Sequence, residues 1–315
     1  MPKTLLPALV AALLVPLVSP AWAQSGPAVE SPNAKLSFGF SAAEEDAAGE
    51  GGFALGSVAV PLGHSFGAQV DLLVDDQENA TDRFGASTGV ALHLFARDPS
   101  RYLLGVYAHA IETDSIFGDI DATRYGIEGE YYLGDFTFSG FLGRDDLSGA
   151  GIDADFEAIE LSAARYLGTM TEISFAGTRA FDNTDAAVGV EHMLGAGAGN
   201  MSLFGELGFG DSGTRLTAGV SVYLGSRGMS LRDIHRRNDP PTRMQAPGLI
   251  PFLESACAQP EISSLAIGQG GSDEVLGVRE LDGQIMRKPQ PTRREAGCGR
   301  REALLWLPEP DFEAR

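Results

Sequence analysis

The sequence has few cysteines, few basic residues and no long apolar run after its first two dozen residues. Only 2 of 315 residues are cysteine, and 23 Lys+Arg stand against 43 Asp+Glu, giving a formal charge of -20. A chain this acidic repels phosphates and offers no basic stripe, which excludes nucleic acid as a partner. Beyond residue 24 no stretch approaches the roughly 20 apolar residues that a spanning helix needs.

The N-terminus has the order of a secretory signal peptide. Lys3 precedes an apolar run from Leu5 to Val18, and Ala21-Trp22-Ala23 supplies a small-residue cleavage site. The run is about fourteen residues, shorter than a spanning helix. We therefore predict a signal peptide at 1–23.

Composition and charge then divide the remainder. Glycine is abundant, 40 residues, without a collagen period, and the apolar segments are short, which favours an all-β architecture. Residues 226–315 hold 13 basic and 13 acidic residues, so the net charge belongs to the part before them. That acidic part has no cysteine, which suits an oxidising compartment. We predict a barrel at 24–225 and a linker or disordered tail at 226–315.

Segments of about ten residues between Ala34 and Gly225 alternate apolar and polar positions, the length and pattern of a tilted membrane strand. The predicted strands number twelve: 34–41, 52–61, 65–75, 83–95, 101–112, 120–133, 135–144, 154–166, 169–179, 186–194, 200–209 and 214–224. Connections after even strands are short: 62–64, 96–100, 134, 167–168 and 195–199. Those after odd strands are predicted to be longer and acidic: 42–51, 76–82, 113–119, 145–153 and 182–185.

Several even strands end alike, as in Tyr132-Leu133-Gly134 and Tyr223-Leu224-Gly225. Tyr suits a membrane–water boundary, and Gly suits a tight turn. On the last strand Leu216, Val220 and Leu224 alternate with polar residues. We interpret this pattern as apolar-out and polar-in; the alternative is a periplasmic or secreted β-sandwich, whose polar face would be outside.

The signal peptide, the Gly-rich hairpins ending in Tyr-Leu-Gly and the basic tract Ser230–Pro241 together resemble the porin-like outer-membrane proteins of Gram-negative bacteria. The resemblance covers residues 1 to about 241. It implies an up-and-down transmembrane barrel, surrounded by outer-membrane lipid and lipopolysaccharide and inserted by the barrel-assembly machinery. That machinery usually reads an aromatic residue at the end of the final strand, whereas here about 90 residues follow Tyr223-Leu224-Gly225.

The candidate lumen-lining residues are charged and lie at predicted inward positions: Asp71, Arg124, Glu128, Glu130, Glu160, Glu172, Glu191, Glu206 and Arg215. Arg165 and Arg179 are further possible partners of the carboxylates. Carboxylates in a lumen predict a cation-preferring pore. The alternative is a plugged interior in which Glu and Arg pair across strands, and the sequence does not decide between them.

No catalytic, cofactor or metal constellation is predicted. The acidic segments Asp75–Glu78 and Asp145–Asp155 lack the spacing of a calcium loop, and His64 beside Ser65 has no companion acid. We expect passive passage of small solutes and no enzymatic activity. The alternatives are a structural or adhesive surface barrel and, less favoured, an outer-membrane lipid hydrolase; the oligomeric state stays open.

The tail is expected to be irregular and to lie in the periplasm. It is rich in proline, with short helices possible only at 249–256 and 301–307. The basic run Arg232–Arg237 could meet anionic headgroups or the cell wall, or could simply be solvated. Cys257 and Cys298 permit one intramolecular disulfide, and a mobile tail with free thiols is the alternative.

Overall fold

A computed structural model describes residues 26–43, 50–78, 84–195, 200–211, 213–240 and 242–244. Its main feature is a closed barrel of twelve antiparallel strands, as the sequence predicts. The strands are β1 Asn33–Ala43, β2 Glu50–Pro61, β3 Phe66–Glu78, β4 Phe84–Asp98, β5 Tyr102–Ser115, β6 Ile120–Leu133, β7 Phe136–Gly149, β8 Ile152–Leu167, β9 Thr171–Ala180, β10 Asn183–Leu194, β11 Met201–Gly210 and β12 Gly213–Leu224. One helix follows, α1 Leu231–Arg237.

Every strand pairs with its sequence neighbours, and the first strand closes the barrel on the last. The seam between β1 and β12 runs from Ala34 opposite Leu224 to Ala43 opposite Arg215. Closure leaves no strand edge free to pair with another chain.

The outer surface of the barrel is apolar and the inner surface is polar. Val106, Leu142 and Leu161 face outward and are 53%, 55% and 65% exposed. The inward-facing Asp71 and Arg124 are both 0% exposed. Exposing this much apolar side chain to water costs about 25 cal/mol per Å², so the exterior matches lipid instead. The predicted apolar-out and polar-in pattern is therefore confirmed.

The connections form two ends, which we call the turn end and the loop end. The turn end contains residues 62–65, 99–101, 134–135 and 168–170. At the loop end, β5 and β6 are joined by residues 116–119, β7 and β8 by 150–151, and β9 and β10 by 181–182. The connections 44–49, 79–83 and 196–199 lie outside the described residues.

The predicted long loops at 145–153 and 182–185 are wrong. β7 and β8 have 14 and 16 residues, more than the roughly 9–11 needed to cross a bilayer, and they continue to a tight turn. Ala150 and Gly151 form that turn with φ of 49° and 84°. Both residues have the positive φ of the hairpin turns that fit strand twist. Asp145 therefore lies in β7, where it is 0% exposed, rather than in a solvated loop.

The chain after β12 turns back into the barrel. Ser230 is the N-cap of α1, since its hydroxyl accepts a hydrogen bond from the Asp233 amide. Leu231 and Ile234 of α1 are fully buried at the turn end, in one cluster with Tyr166 and Tyr223. Met244 lies deeper, in the main interior cluster.

Helix α1 lies within residues 226–315, for which the sequence predicts a linker or disordered tail, so the prediction is wrong for Leu231–Arg237. Residues 1–25, which include the predicted signal peptide, lie outside the described residues, as do 245–315 with both cysteines and the segments 249–256 and 301–307. Among the residues described, no helix is long and apolar enough to cross a membrane.

Candidate functional site: the barrel interior

The predicted lumen residues all lie on the inward face of their strands. Their burial differs from one side of the barrel to the other. Asp71, Arg124, Glu128 and Glu130 are buried, and Glu160, Glu172, Glu191, Glu206 and Arg215 are partly buried. Arg165 and Arg179 are not inward: both are exposed on the outer face, where Arg179 pairs with Asp182. Successive side chains of a strand point to opposite faces. Each of these arginines is an odd number of positions along its strand from an inward-facing glutamate and therefore points outward.

His93 on β4 is held between two carboxylates. Its Nε2 lies 2.9 Å from Asp71 Oδ2 and its Nδ1 lies 2.8 Å from Glu128 Oε1. Each ring nitrogen of His93 thus has a carboxylate oxygen within hydrogen-bonding distance. His93 therefore links β3 to β6 across the interior.

Arg124 on β6 links the next strands. It donates from Nε and Nη2 to the two oxygens of Asp145, at 2.6 and 3.0 Å, and from Nη1 to Glu160 Oε1 at 2.5 Å. The rings of Phe141 and Phe181 lie 5.7 and 5.8 Å from its guanidinium carbon. This is the cross-strand pairing that the plugged alternative predicts, and it fills the β3–β8 side of the interior.

At the turn end, His235 of α1 lies between two glutamates. Its Nδ1 is 2.9 Å from Glu172 Oε2, and its Nε2 is 3.5 Å from Glu191 Oε2. Burial lowers the pKa of His235, but Glu172 and Glu191 outweigh burial and raise it to about 9. The imidazolium thereby attaches the helix to β9 and β10.

The neighbouring Arg236 fastens α1 to β6, β7 and the turn between them. It donates to Thr137 Oγ1, to the Gly134 carbonyl and to the Phe136 carbonyl, at 3.1, 2.9 and 2.7 Å. The Tyr132 ring lies 4.9 Å from its guanidinium carbon. The basic side chains of α1 thus bind the helix to the barrel, and Arg236 is therefore buried against β7 rather than solvated.

A cavity of about 370 Å³ remains on the other side of the interior. It is lined by carboxylates, hydroxyl groups and a few aromatic rings, among them Glu130, Glu172, Glu191, Glu206, Ser37, Ser139, Ser162, Ser221, Phe53 and Phe204. Lys35 is the strand-borne cation on its wall, and α1 adds His235 and Arg236. The described residues contain no group of three or more side chains placed to hold a metal ion. The cavity can therefore hold a small polar or cationic solute.

The sequence does not predict that the segment 226–244 enters the interior. The sequence does contain local signals of a helix: Ser230 and Asp233 have the spacing of a helix cap, and Leu231 and Ile234 have helical spacing. Nothing local indicates where such a short helix docks, because its partners lie far away in sequence. Arg243, for example, binds Glu160 across 83 positions.

A closed antiparallel barrel with an apolar exterior and a charged interior defines the class of transmembrane β-barrels. No protein-family model matches the sequence, and no curated protein matches it. Among solved structures, the chain is similar to an outer-membrane channel from Pseudomonas putida F1 (10% identity, 65% of this chain and 100% of that chain, TM-score 0.46). It is also similar to the KdgM porin (10% identity, 60% and 98%, TM-score 0.43). The outer membrane phospholipase A from Escherichia coli is a third such structure (13% identity, 62% and 92%, TM-score 0.41). These likenesses concern the fold alone.

Proposed function

We propose that this protein is an outer-membrane channel that gives small solutes passive passage and prefers cations. The observation that carries the proposal is the charge of the cavity wall. The barrel strands contribute Glu130, Glu172, Glu191 and Glu206 against the single cation Lys35. The other cations of this wall, His235 and Arg236, belong to α1 and not to the barrel. The barrel itself therefore presents an acidic surface, which attracts cations and repels anions.

Segment 226–244 and the network around Arg124 occupy much of the interior, so the proposed channel is closed or narrow in this conformation. The same observation favours a second candidate, a non-conducting barrel that serves a structural or adhesive role. Electrical conductance separates the two candidates, because a plugged barrel carries no current however well it folds.

The test is conductance of purified protein in a planar bilayer under a salt gradient. We expect a reversal potential toward the cation value at low salt, weakening near 1 M, where the Debye length is about 3 Å. Glu206→Gln on the cavity wall should reduce the selectivity. Glu157→Gln, on the exposed outer face of β8, is the matched control and should not. Anion selectivity at low salt, or no current from folded protein, would contradict the proposal.

The proposal places the protein in the outer membrane of a Gram-negative bacterium, with the turn end toward the periplasm. Outer-membrane lipid and lipopolysaccharide would surround its apolar exterior, and the barrel-assembly machinery would insert it. Membrane fractions should contain a band whose gel mobility changes on heating. Protein that stays soluble without detergent would refute this location.

The proposal includes no catalytic activity. One hydroxyl–imidazole pair lies on the outer surface, where Thr171 Oγ1 is 2.8 Å from His192 Nδ1. Release of fatty acid from phospholipid by the purified protein, abolished in His192→Ala, would overturn this part of the proposal.

A further inference from the structure

We infer that Glu128 and Glu160 form a binding site for a small solute that carries a guanidinium group, and that Arg243 occupies this site as an intramolecular stand-in. We call the two carboxylates the guanidinium cradle. The inference deepens the proposed function, since it names the class of solute that the barrel would admit.

Residues of the barrel wall hold one oxygen of each carboxylate of the cradle. One oxygen of each carboxylate already has a wall partner: Glu128 Oε1 contacts His93 at 2.8 Å, and Glu160 Oε1 contacts Arg124 at 2.5 Å. The two remaining oxygens accept from Arg243, Glu128 Oε2 at 3.2 Å and Glu160 Oε2 at 2.6 Å. His93 and Arg124 therefore orient the cradle, and one acceptor from each carboxylate is left for a guest.

The remaining contacts fit a planar guanidinium better than an ammonium. Arg243 donates from Nε and Nη1 to different carboxylates, and its Nη2 lies 3.4 Å from the Gly140 carbonyl. The Phe141 ring centroid is 5.8 Å from its guanidinium carbon. Three donors in one plane beside an aromatic ring suit a guanidinium, whereas an ammonium is a compact point charge.

The cradle is buried but lies next to the cavity. The Arg243 side chain is 7% exposed, and those of Glu128 and Glu160 are 1% and 16% exposed. Glu130 and Ser162 line the cavity, and each lies two positions along its strand from a cradle carboxylate, on the same inward face. Thr242, which precedes Arg243, lines the cavity too. A solute in the cavity is therefore beside the cradle and can compete with Arg243.

Arg243 arrives on a segment that belongs to no strand, so a solute can replace it without breaking the barrel sheet. A tethered group acts at a local concentration on the order of millimolar, which sets the solute concentration that competition requires. When a solute replaces Arg243, Glu128 and Glu160 exchange their internal cation for the guanidinium of the solute.

The first experiment is chemical rescue of the full-length Arg243→Ala protein in detergent. We expect this variant to lose its heat-modifiable band at a lower temperature than wild type, because two buried carboxylates lose a partner. Methylguanidinium at about 10 mM should reverse roughly half or more of this decrease in transition temperature, and methylammonium should not. Adding Glu160→Gln should abolish the rescue. Arg237→Ala, whose guanidinium is 46% exposed, should show no response to methylguanidinium and is the matched control.

Equal rescue by methylammonium, or no rescue, would overturn the inference. If Arg243→Ala does not fold by itself, refolding in the presence of methylguanidinium or of methylammonium replaces the thermal measurement, and the same two outcomes apply. Rescue is measured without transport. If methylguanidinium rescues a protein that never conducts, the inferred guanidinium site stands and the proposed channel function is refuted. Arginine and the tripeptide Gly-Arg-Gly as added solutes distinguish a free solute from a peptide side chain as the source of the guanidinium.

Discussion

Lys35, near the start of β1, and Asp239, just after α1, form an ion pair of 2.6 Å between residues 204 positions apart. Their side chains are 14% and 4% exposed. The pair joins the segment that fills the barrel to one of the two strands that close it. This contact therefore couples helix docking to barrel closure.

Removing one partner of this pair should be costly. We expect Asp239→Asn to destabilise the protein by about 3–5 kcal/mol, because Lys35 is left as a buried charge without its counterion. The measurement is the temperature at which heat-modifiable mobility is lost. Lys35→Met combined with Asp239→Leu should cost less than Asp239→Asn. Arg237→Ala, which breaks an exposed pair with Glu30, should cost about 0–1 kcal/mol.

Docking of α1 should weaken as pH rises. His235 has a pKa of about 9 in the folded protein against an ordinary 6.5. A group with a raised folded pKa stabilises fully below the unfolded value, and this stabilisation is lost as pH rises through about 9. The full effect is about 3 kcal/mol at 1.4 kcal/mol per pKa unit. The groups facing the imidazole are Glu172, Glu191, Tyr166 and Tyr223 from the barrel and Asp239 from its own segment.

Thermal stability of wild type and His235→Gln, followed from pH 6 to pH 10 (about the range in which the imidazolium is lost), checks this expectation. The gap between the two proteins should be largest near pH 6 and should close toward pH 10. A gap that is constant over this range would show that the charge of His235 contributes nothing.

Arg236→Lys should loosen the helix although it keeps the charge. Lysine cannot reach Thr137, the Gly134 carbonyl and the Phe136 carbonyl together, so about 2–3 kcal/mol of docking energy should be lost. Protease cleavage after α1 in detergent-solubilised protein should become faster. Arg232→Lys is the control, since Arg232 is 36% exposed and pairs with Asp135, 61% exposed. Equal cleavage of the two variants would contradict the expectation.

Gly126→Ala should impair folding of the barrel wall. Gly126 on β6 pairs with Gly143 on β7, and a Cβ at Gly126 would lie 2.4 Å from the Leu142 carbonyl and 2.8 Å from the Phe141 ring. Displacing Phe141 disturbs the ring that lies beside both Arg124 and Arg243. The folded fraction on gels should fall. Gly129→Ala, whose Cβ would meet nothing nearer than 3.5 Å, should fold like wild type.

The sequence predicts the strands well because lipid outside and polar groups inside force a period of two on each of them. The sequence predicts the loop end of the barrel poorly, because there the composition of a strand resembles that of a loop. Asp145 and Asp153 are acidic and lie near glycines, a composition that predicts a loop, whereas they lie in β7 and β8, which keep alternating up to their connecting turn. Polar residues in a strand beyond the bilayer have the composition of a loop, and only strand pairing distinguishes the two.

Alternation alone predicts that Asp71, Arg124 and Glu128 face inward, but it does not predict their ion-pair partners. The ion pair of Arg124 with Glu160 joins strands that are not neighbours in the sheet, and Arg243 reaches Glu128 across 115 positions. Such contacts depend on the curvature of the closed wall and on the path of a chain segment through it, and neither is encoded in a local pattern.

Closure between β1 and β12 also imposes an order in time. The seam pairs Ala34 with Leu224, so the wall is incomplete until nearly all of the strand sequence has been delivered. The lumen that receives α1 exists only after that step, and the helix follows the last strand in the chain. A newly assembled barrel should therefore pass through a hollow stage whose acidic interior is briefly filled by water and counterions, before its own basic segment displaces them.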